Sequence, residues 1–181
     1  MVIQIAADAG HTGGGAVPDL AGLAEAHGRG IIKYCYSLLL DYHEAQDAAQ
    51  DVFLRAAAKL GGLRDSSAVS PWLYRMAYNI CINILRRRKL AKLFLVREAA
   101  KAKDSSHTDS YDLGISPEIK AALSTLHPRD RALVYSRAVD EMEYSQLEAV
   151  YGAKASALRK RYERARKKLE QELIKNGFSE S

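Results

Sequence analysis

Cysteine is scarce in this chain. Cys35 and Cys81 are the only two in 181 residues, far apart and outside any metal-ligand spacing. That excludes a disulfide framework and a cysteine-rich zinc site, and leaves two free, buried thiols as the expectation. The five histidines, His11, His27, His43, His107 and His127, form no cluster. No metal or other cofactor is expected, and no nucleophile constellation is found. Gly13-Gly14-Gly15 comes nearest to a phosphate loop, but no Gly-Lys-Ser/Thr follows it. Long apolar runs are missing too, and none approaches the ~20 residues that a membrane-spanning helix needs. The first residues hold no Lys or Arg and include Asp8, so they do not read as a secretory signal. These absences point to a cytoplasmic protein that is not an enzyme and does not insert into a membrane.

What is present is helical. The chain is 48% hydrophobic, enough to bury the core of one domain or two small ones. Residues 1–18 are rich in Ala and Gly and read as a flexible N-terminal extension. Apolar residues then recur at helical spacing over 19–40, with a break expected near Gly28 and Gly30. A second helix covers 41–59, and Gly61-Gly62 is expected to close it in the left-handed conformation. A polar loop spans 63–70. Ser70-Pro71 reads as a cap followed by proline at the first helical position, opening a helix to about residue 92. Small and polar residues make 96–115 a linker. Beyond it, Ser116-Pro117 and Pro128 open two helices, 144–151 forms a short helix closed by Gly152, and 155–174 forms a long one. The expected fold is all-α, with two small helical domains over 19–95 and 116–175.

Charge is unevenly spread. The net charge of +5 hides two basic clusters. One is Arg86-Arg87-Arg88-Lys89 with Lys92. The other places eight Lys or Arg against two Glu between Lys154 and Glu170. Clustered positive charge attracts polyanions, nucleic acid first, although a solvated helix end has the same composition. The last two helices have helix-turn-helix proportions, and the second offers Arg159, Lys160, Arg161, Arg164 and Lys168 to a major groove and its phosphates. A helical hairpin with a basic solvent face is the alternative. The stretch 41–54 is the opposite. Asp41, Glu44, Asp47 and Asp51, with Gln50 beside them, stand without an intervening Lys or Arg, while Ala45, Ala48, Ala49, Val52 and Phe53 supply the apolar stripe. Such a face is either simply solvated or a docking surface for a basic partner.

The run Glu44-Ala45-Gln46-Asp47-Ala48-Ala49-Gln50-Asp51-Val52-Phe53 resembles region 2.2 of bacterial sigma factors. Pro71-Trp72-Leu73-Tyr74-Arg75-Met76-Ala77-Tyr78-Asn79 is similar to the Trp-Leu-Tyr-Arg-Ile-Ala-x-Asn segment of the extracytoplasmic-function (ECF) sigma factors. In the C-terminal part, Leu126-His127-Pro128-Arg129-Asp130-Arg131, Tyr144-Ser145-Gln146-Leu147 and Arg164-Ala165-Arg166 resemble sigma region 4. The resemblance covers roughly 20–90 and 115–173. It implies a subunit that carries core RNA polymerase to promoters, with the β′ coiled-coil and the β flap as its contacts. It implies Asp47, Gln50, Asp51 and Phe53 at the polymerase. It implies Arg64, Asp65, Ser66, Arg75, Asn79, Arg86 and Arg87 at the minus-ten DNA, with the loop and Asn79 holding a flipped base. It implies Ser156, Arg159, Lys160, Arg161, Arg164 and Lys168 at the minus-thirty-five DNA, and an anti-sigma factor as a further partner. Two positions depart from the pattern. Glu148 stands where a small residue is usual, and Ala157 where Thr is common, so a capping or phosphate contact is lost. Two other readings of the same residues are a helix-turn-helix regulator that never joins polymerase and a sigma-like interaction module.

Overall fold

The computed structural model describes residues 19–62, 65–95 and 115–176. The expected N-terminal extension and almost all of the expected linker lie outside them. The described residues form α1 (Leu20–Leu39), α2 (Tyr42–Lys59), α3 (Val69–Leu95), α4 (Pro117–Ser124), α5 (Pro128–Ala138), α6 (Tyr144–Tyr151) and α7 (Ala155–Lys175), with short 3₁₀ turns at Leu60–Gly62 and Ser66–Ala68. No strand occurs among them.

Several helix starts follow directly from local chemistry. The carboxylates of Asp19 and Asp41 accept from the N–H groups of Gly22 (2.8 Å) and Glu44 (2.9 Å) and cap α1 and α2. Ser116 caps α4 with Pro117 behind it, and Pro128 opens α5. Three local expectations change. First, α1 runs unbroken through Gly28 and Gly30. A Cβ at Gly30 would lie 3.2 Å from the Tyr74 hydroxyl, so this glycine admits α3 at close range instead of ending a helix. Second, α2 passes into a 3₁₀ turn through a right-handed Leu60, and the left-handed closure falls instead on Leu40, φ 54°, at the end of α1. Third, α3 starts at Val69, not at Pro71. The Asp65 carboxylate accepts from the backbone N–H and hydroxyl of Ser67 (2.8 and 2.7 Å) and sets the turn that feeds it. Pro71 then sits in the first turn, where a missing N–H costs nothing.

The two expected domains are packed on each other. Leu23, Ile31, Tyr34, Cys35, Leu38, Val52, Leu73 and Cys81 are fully buried between α1, α2 and α3. The same core continues into Ala132, Leu133, Tyr135, Met142, Leu147 and Val150 of α5, α6 and the turn between them. Tyr34 stands at the junction. Its ring centroid is 4.8 Å from that of Tyr74 and 6.1 Å from that of Tyr135. Its hydroxyl is 3.0 Å from that of Tyr151, which lies 2.9 Å from the Ser136 Oγ. Arg131 of α5 is buried and donates across the boundary to the Leu38 carbonyl of α1 at 2.6 Å. Burial lowers its guanidinium to about 10, so it stays charged at neutral pH. A smaller cluster of Ala122, Leu123, Leu126, Val134, Ala165 and Leu169 seats α4 and α7 on α5. Contact with the Cys35 thiol, with burial second, pushes the Cys81 thiol up and leaves it inert.

Candidate functional site

The acidic stretch is narrower than its sequence suggests. Ala45, Ala48, Ala49, Val52 and Ala56 turn inward, and Asp47, Gln50 and Asp51 are exposed on the opposite face. Glu44 leaves that face. Arg88 of α3 pairs with it, Nε to Oε1 at 3.1 Å, and also reaches the Leu39 carbonyl at 3.4 Å. The neutralising cation that 41–54 lacks comes from a distant part of the chain. Phe53 is half-buried against the core. The exposed apolar residue is its neighbour Leu54, 68% exposed. Leu54 is seven residues after Asp47 and three after Asp51, so it sits in the middle of the acidic face. Helical spacing alone could have found it, because it lies opposite the alanine stripe.

Along α3, Arg75, Asn79, Asn83, Arg86 and Arg87 are exposed. Spacings of three and four put the last four on one strip. Asn83 belongs to it, although it is not among the residues expected at the minus-ten DNA. Together with Arg86, Arg87, Ile80 and Leu90 it lines an open groove of about 400 Å³, closed on the α2 side by Asp51 and Arg55. Beside the start of the strip, α3 meets α6. Arg75 donates to the Ala149 carbonyl of α6 at 3.2 Å, and Tyr78 meets Tyr151 edge-on at 5.0 Å. Asp65 is exposed, and its two bonds to Ser67 hold its carboxyl below the usual range. Ser66 is half-buried in the same turn, and Arg64 lies outside the described residues.

The helix-turn-helix is present. Gly152, at φ 64°, makes the corner between α6 and α7, where a side chain would be strained. Glu143 and Gln146 form a reciprocal capping box at the start of α6. The unusual Glu148 has a task. Its Oε1 accepts from the Ala155 N–H at 2.5 Å, at the start of α7, where the capping position Lys154 offers no side-chain acceptor. On α7 the six expected DNA residues divide. Ser156, Arg159, Lys160 and Arg164 face solvent, with Arg159 stacked on Tyr144 at 4.9 Å. Arg161 turns back to Asp130 of α5 (2.5 Å), and Lys168 donates to the Thr125 carbonyl at 2.8 Å. Those two pin α7 to α5 and α4. Exposed Lys167, not among the six, continues the Ser156 and Lys160 line instead, at spacings of four and seven.

No helix among the described residues is long and apolar enough to cross a membrane. Comparison with known proteins agrees with the geometry. Residues 23–91 match the family model for sigma-70 region 2, and 116–169 match that for sigma-70 region 4. The chain is 26% identical over 165 residues to the ECF RNA polymerase sigma factor SigE of Mycolicibacterium smegmatis, covering 89% of this chain and 64% of that one. It is 25% identical to the ECF sigma factor SigW of Bacillus subtilis, covering 79% and 82%. It is 32% identical over 128 residues to SigM of Mycobacterium tuberculosis, covering 70% and 62%. The fold is shared with the sigma factor RpoE of Bartonella quintana, solved with the anti-sigma factor NepR, at a TM-score of 0.70 and 23% identity over 86% of this chain and 96% of that one. CnrH, solved with the cytosolic domain of CnrY, gives 0.60 and 24% over 86% and 87%. With both sigma regions matched in order and the same fold around them, the chain belongs to the sigma-70 family, in its extracytoplasmic-function branch.

Proposed function

We propose that this chain is a sigma subunit of bacterial RNA polymerase, working in the cytoplasm as a binding protein and not as an enzyme. It holds the core enzyme, recognises the minus-ten and minus-thirty-five elements, and promotes strand opening. Its functional domains are 19–95 and 116–175, joined by 96–115. The observation that carries the reading is one chain with three separate surfaces: an acidic helix face centred on Leu54, a polar and basic strip on α3, and a basic recognition helix.

Each surface suits its task. Asp47, Gln50, Asp51 and Leu54 offer charge around an apolar centre to the basic β′ coiled-coil, and Phe53 supports them from the core. Asn79 and Asn83 can donate to and accept from base edges, and Arg86 and Arg87 bind the neighbouring phosphates. The turn at Asp65 and Ser66 stands before that helix to enclose an extruded base. Ser156, Arg159, Lys160 and Arg164, extended by Lys167, address the upstream element, while other parts of the second domain meet the β flap. Like RpoE of Bartonella quintana, solved with the anti-sigma factor NepR, this chain is expected to have such a partner.

The two promoter elements are separated by roughly two and a half turns of DNA, about 85 Å. The two halves here are in contact, with Arg75 bonded to α6. Binding both elements at once therefore requires the halves to separate. Transcription from a defined promoter with core enzyme tests the function. Promoter-directed transcripts are expected. A folded chain that binds core enzyme yet directs none would refute the sigma reading.

A further inference from the structure

Asp140 lies in the corner between α5 and α6, beside Glu141, whose φ of 51° turns the chain. Asp140 is half-buried as a residue, but its Oδ2 is sealed from solvent and has no hydrogen-bond partner. Four elements face it. The Tyr74 hydroxyl of α3 stands near the carboxyl, Lys33 of α1 supplies the nearby positive charge, and Tyr135 of α5 and Tyr151 of α6 complete the wall. Arg137, on the same side of the corner, is turned to the carbonyls of Glu141 and Met142, and Glu141 itself is exposed. No ion pair neutralises Asp140 among the described residues. A carboxylate enclosed by tyrosines without a bonded cation is costly when charged. Tyr74 and Lys33 belong to the first half of the chain and Asp140 to the second. The α1 and α3 side of the enclosure therefore exists only while the halves are together.

We infer that Asp140 is a proton-operated latch between the two halves: uncharged it fits the closed arrangement, and on ionising it favours their separation. The consequence for promoter binding rests on the sigma-subunit reading, but the latch itself does not. Burial raises the Asp140 carboxyl from its ordinary 3.8 to about 7 in the closed form, with Tyr74 and Lys33 pulling the other way. In the open form it stands in a water-exposed turn and returns to its ordinary range. The closed form binds the proton more tightly, so its advantage is complete below the ordinary carboxylate range and is lost as pH rises to about 7. The closed-to-open ratio falls on the order of 50-fold from pH 5 to pH 7 and is flat above about pH 8.

The experiment uses the full chain without polymerase or DNA. Donor and acceptor dyes are placed on Ala58→Cys of α2 and Glu170→Cys of α7, both exposed, while the native thiols are buried. Single-molecule energy transfer then reads the closed fraction from pH 5 to pH 9. The wild-type fraction is expected to fall through this range and level off near pH 8. Asp140→Asn removes the titrating group and should abolish the dependence. Lys33→Met takes away the charge that favours ionisation and should move the levelling point to higher pH. A wild-type closed fraction that does not change with pH, or an Asp140→Asn variant that titrates like wild type, overturns the latch. Either result leaves the sigma reading standing, because transcription is measured separately.

Discussion

Leu54→Ala separates docking from folding. The Leu54 side chain is 68% exposed, so the folded chain gains little from it and its loss should leave the thermal midpoint almost unchanged. At an interface the same exposed area becomes available for burial. Full burial of a leucine side chain is worth about 1.5–3 kcal/mol, and two thirds of that is about 1–2 kcal/mol. Core-polymerase affinity should therefore drop about 5- to 30-fold. Phe53 is the control. It packs on the core, so Phe53→Ala should lower stability by about 3 kcal/mol or somewhat less, given its partial exposure. The assay is competition of each unlabelled variant against labelled wild type for core enzyme, with circular dichroism melts on the same samples. If folded Leu54→Ala competes as well as wild type, the centre of the docking face is misassigned.

Charge at the same face should matter as well. Asp51→Arg is expected to keep its helical content and lose about 2–5 kcal/mol of core binding, measured by the same competition. Asn79→Ala should leave core binding intact and cut open-complex formation on duplex promoter about tenfold, equivalent to one lost base-edge contact of about 1–3 kcal/mol. A template pre-melted across the minus-ten element should recover much of that loss, read with a fluorescent base analogue, and equal opening on the duplex would return Asn79 to a surface amide. On α7, Lys160→Ala should flatten the salt dependence of promoter binding by about 0.9 in log–log slope for one phosphate contact. Arg161→Ala should leave that slope unchanged and cost up to about 1 kcal/mol in thermal stability through its half-exposed pair with Asp130.

Local chemistry was legible in the sequence. Ser116-Pro117 and Pro128 open α4 and α5, and Gly152 turns the corner of the helix-turn-helix, because each depends on a few neighbouring residues. Order and spacing also sufficed for the family. Which face of a helix is covered, and by what, depends on residues far away in the chain. Arg88 neutralises Glu44 from 44 positions on, and Asp130 draws Arg161 away from the exposed side of α7 across 31. Gly30 suggests a helix break in the sequence, whereas in the fold it lets Tyr74 of α3 approach α1 closely. The tyrosines were the least legible of all. Tyr34, Tyr74, Tyr135 and Tyr151 would fit the inside of either half, since an aromatic ring with a polar tip suits a core or an interface equally. Only the tertiary structure brings them together between the halves and encloses Asp140 among them, because burial is a property of what packs against a residue and not of the residue itself.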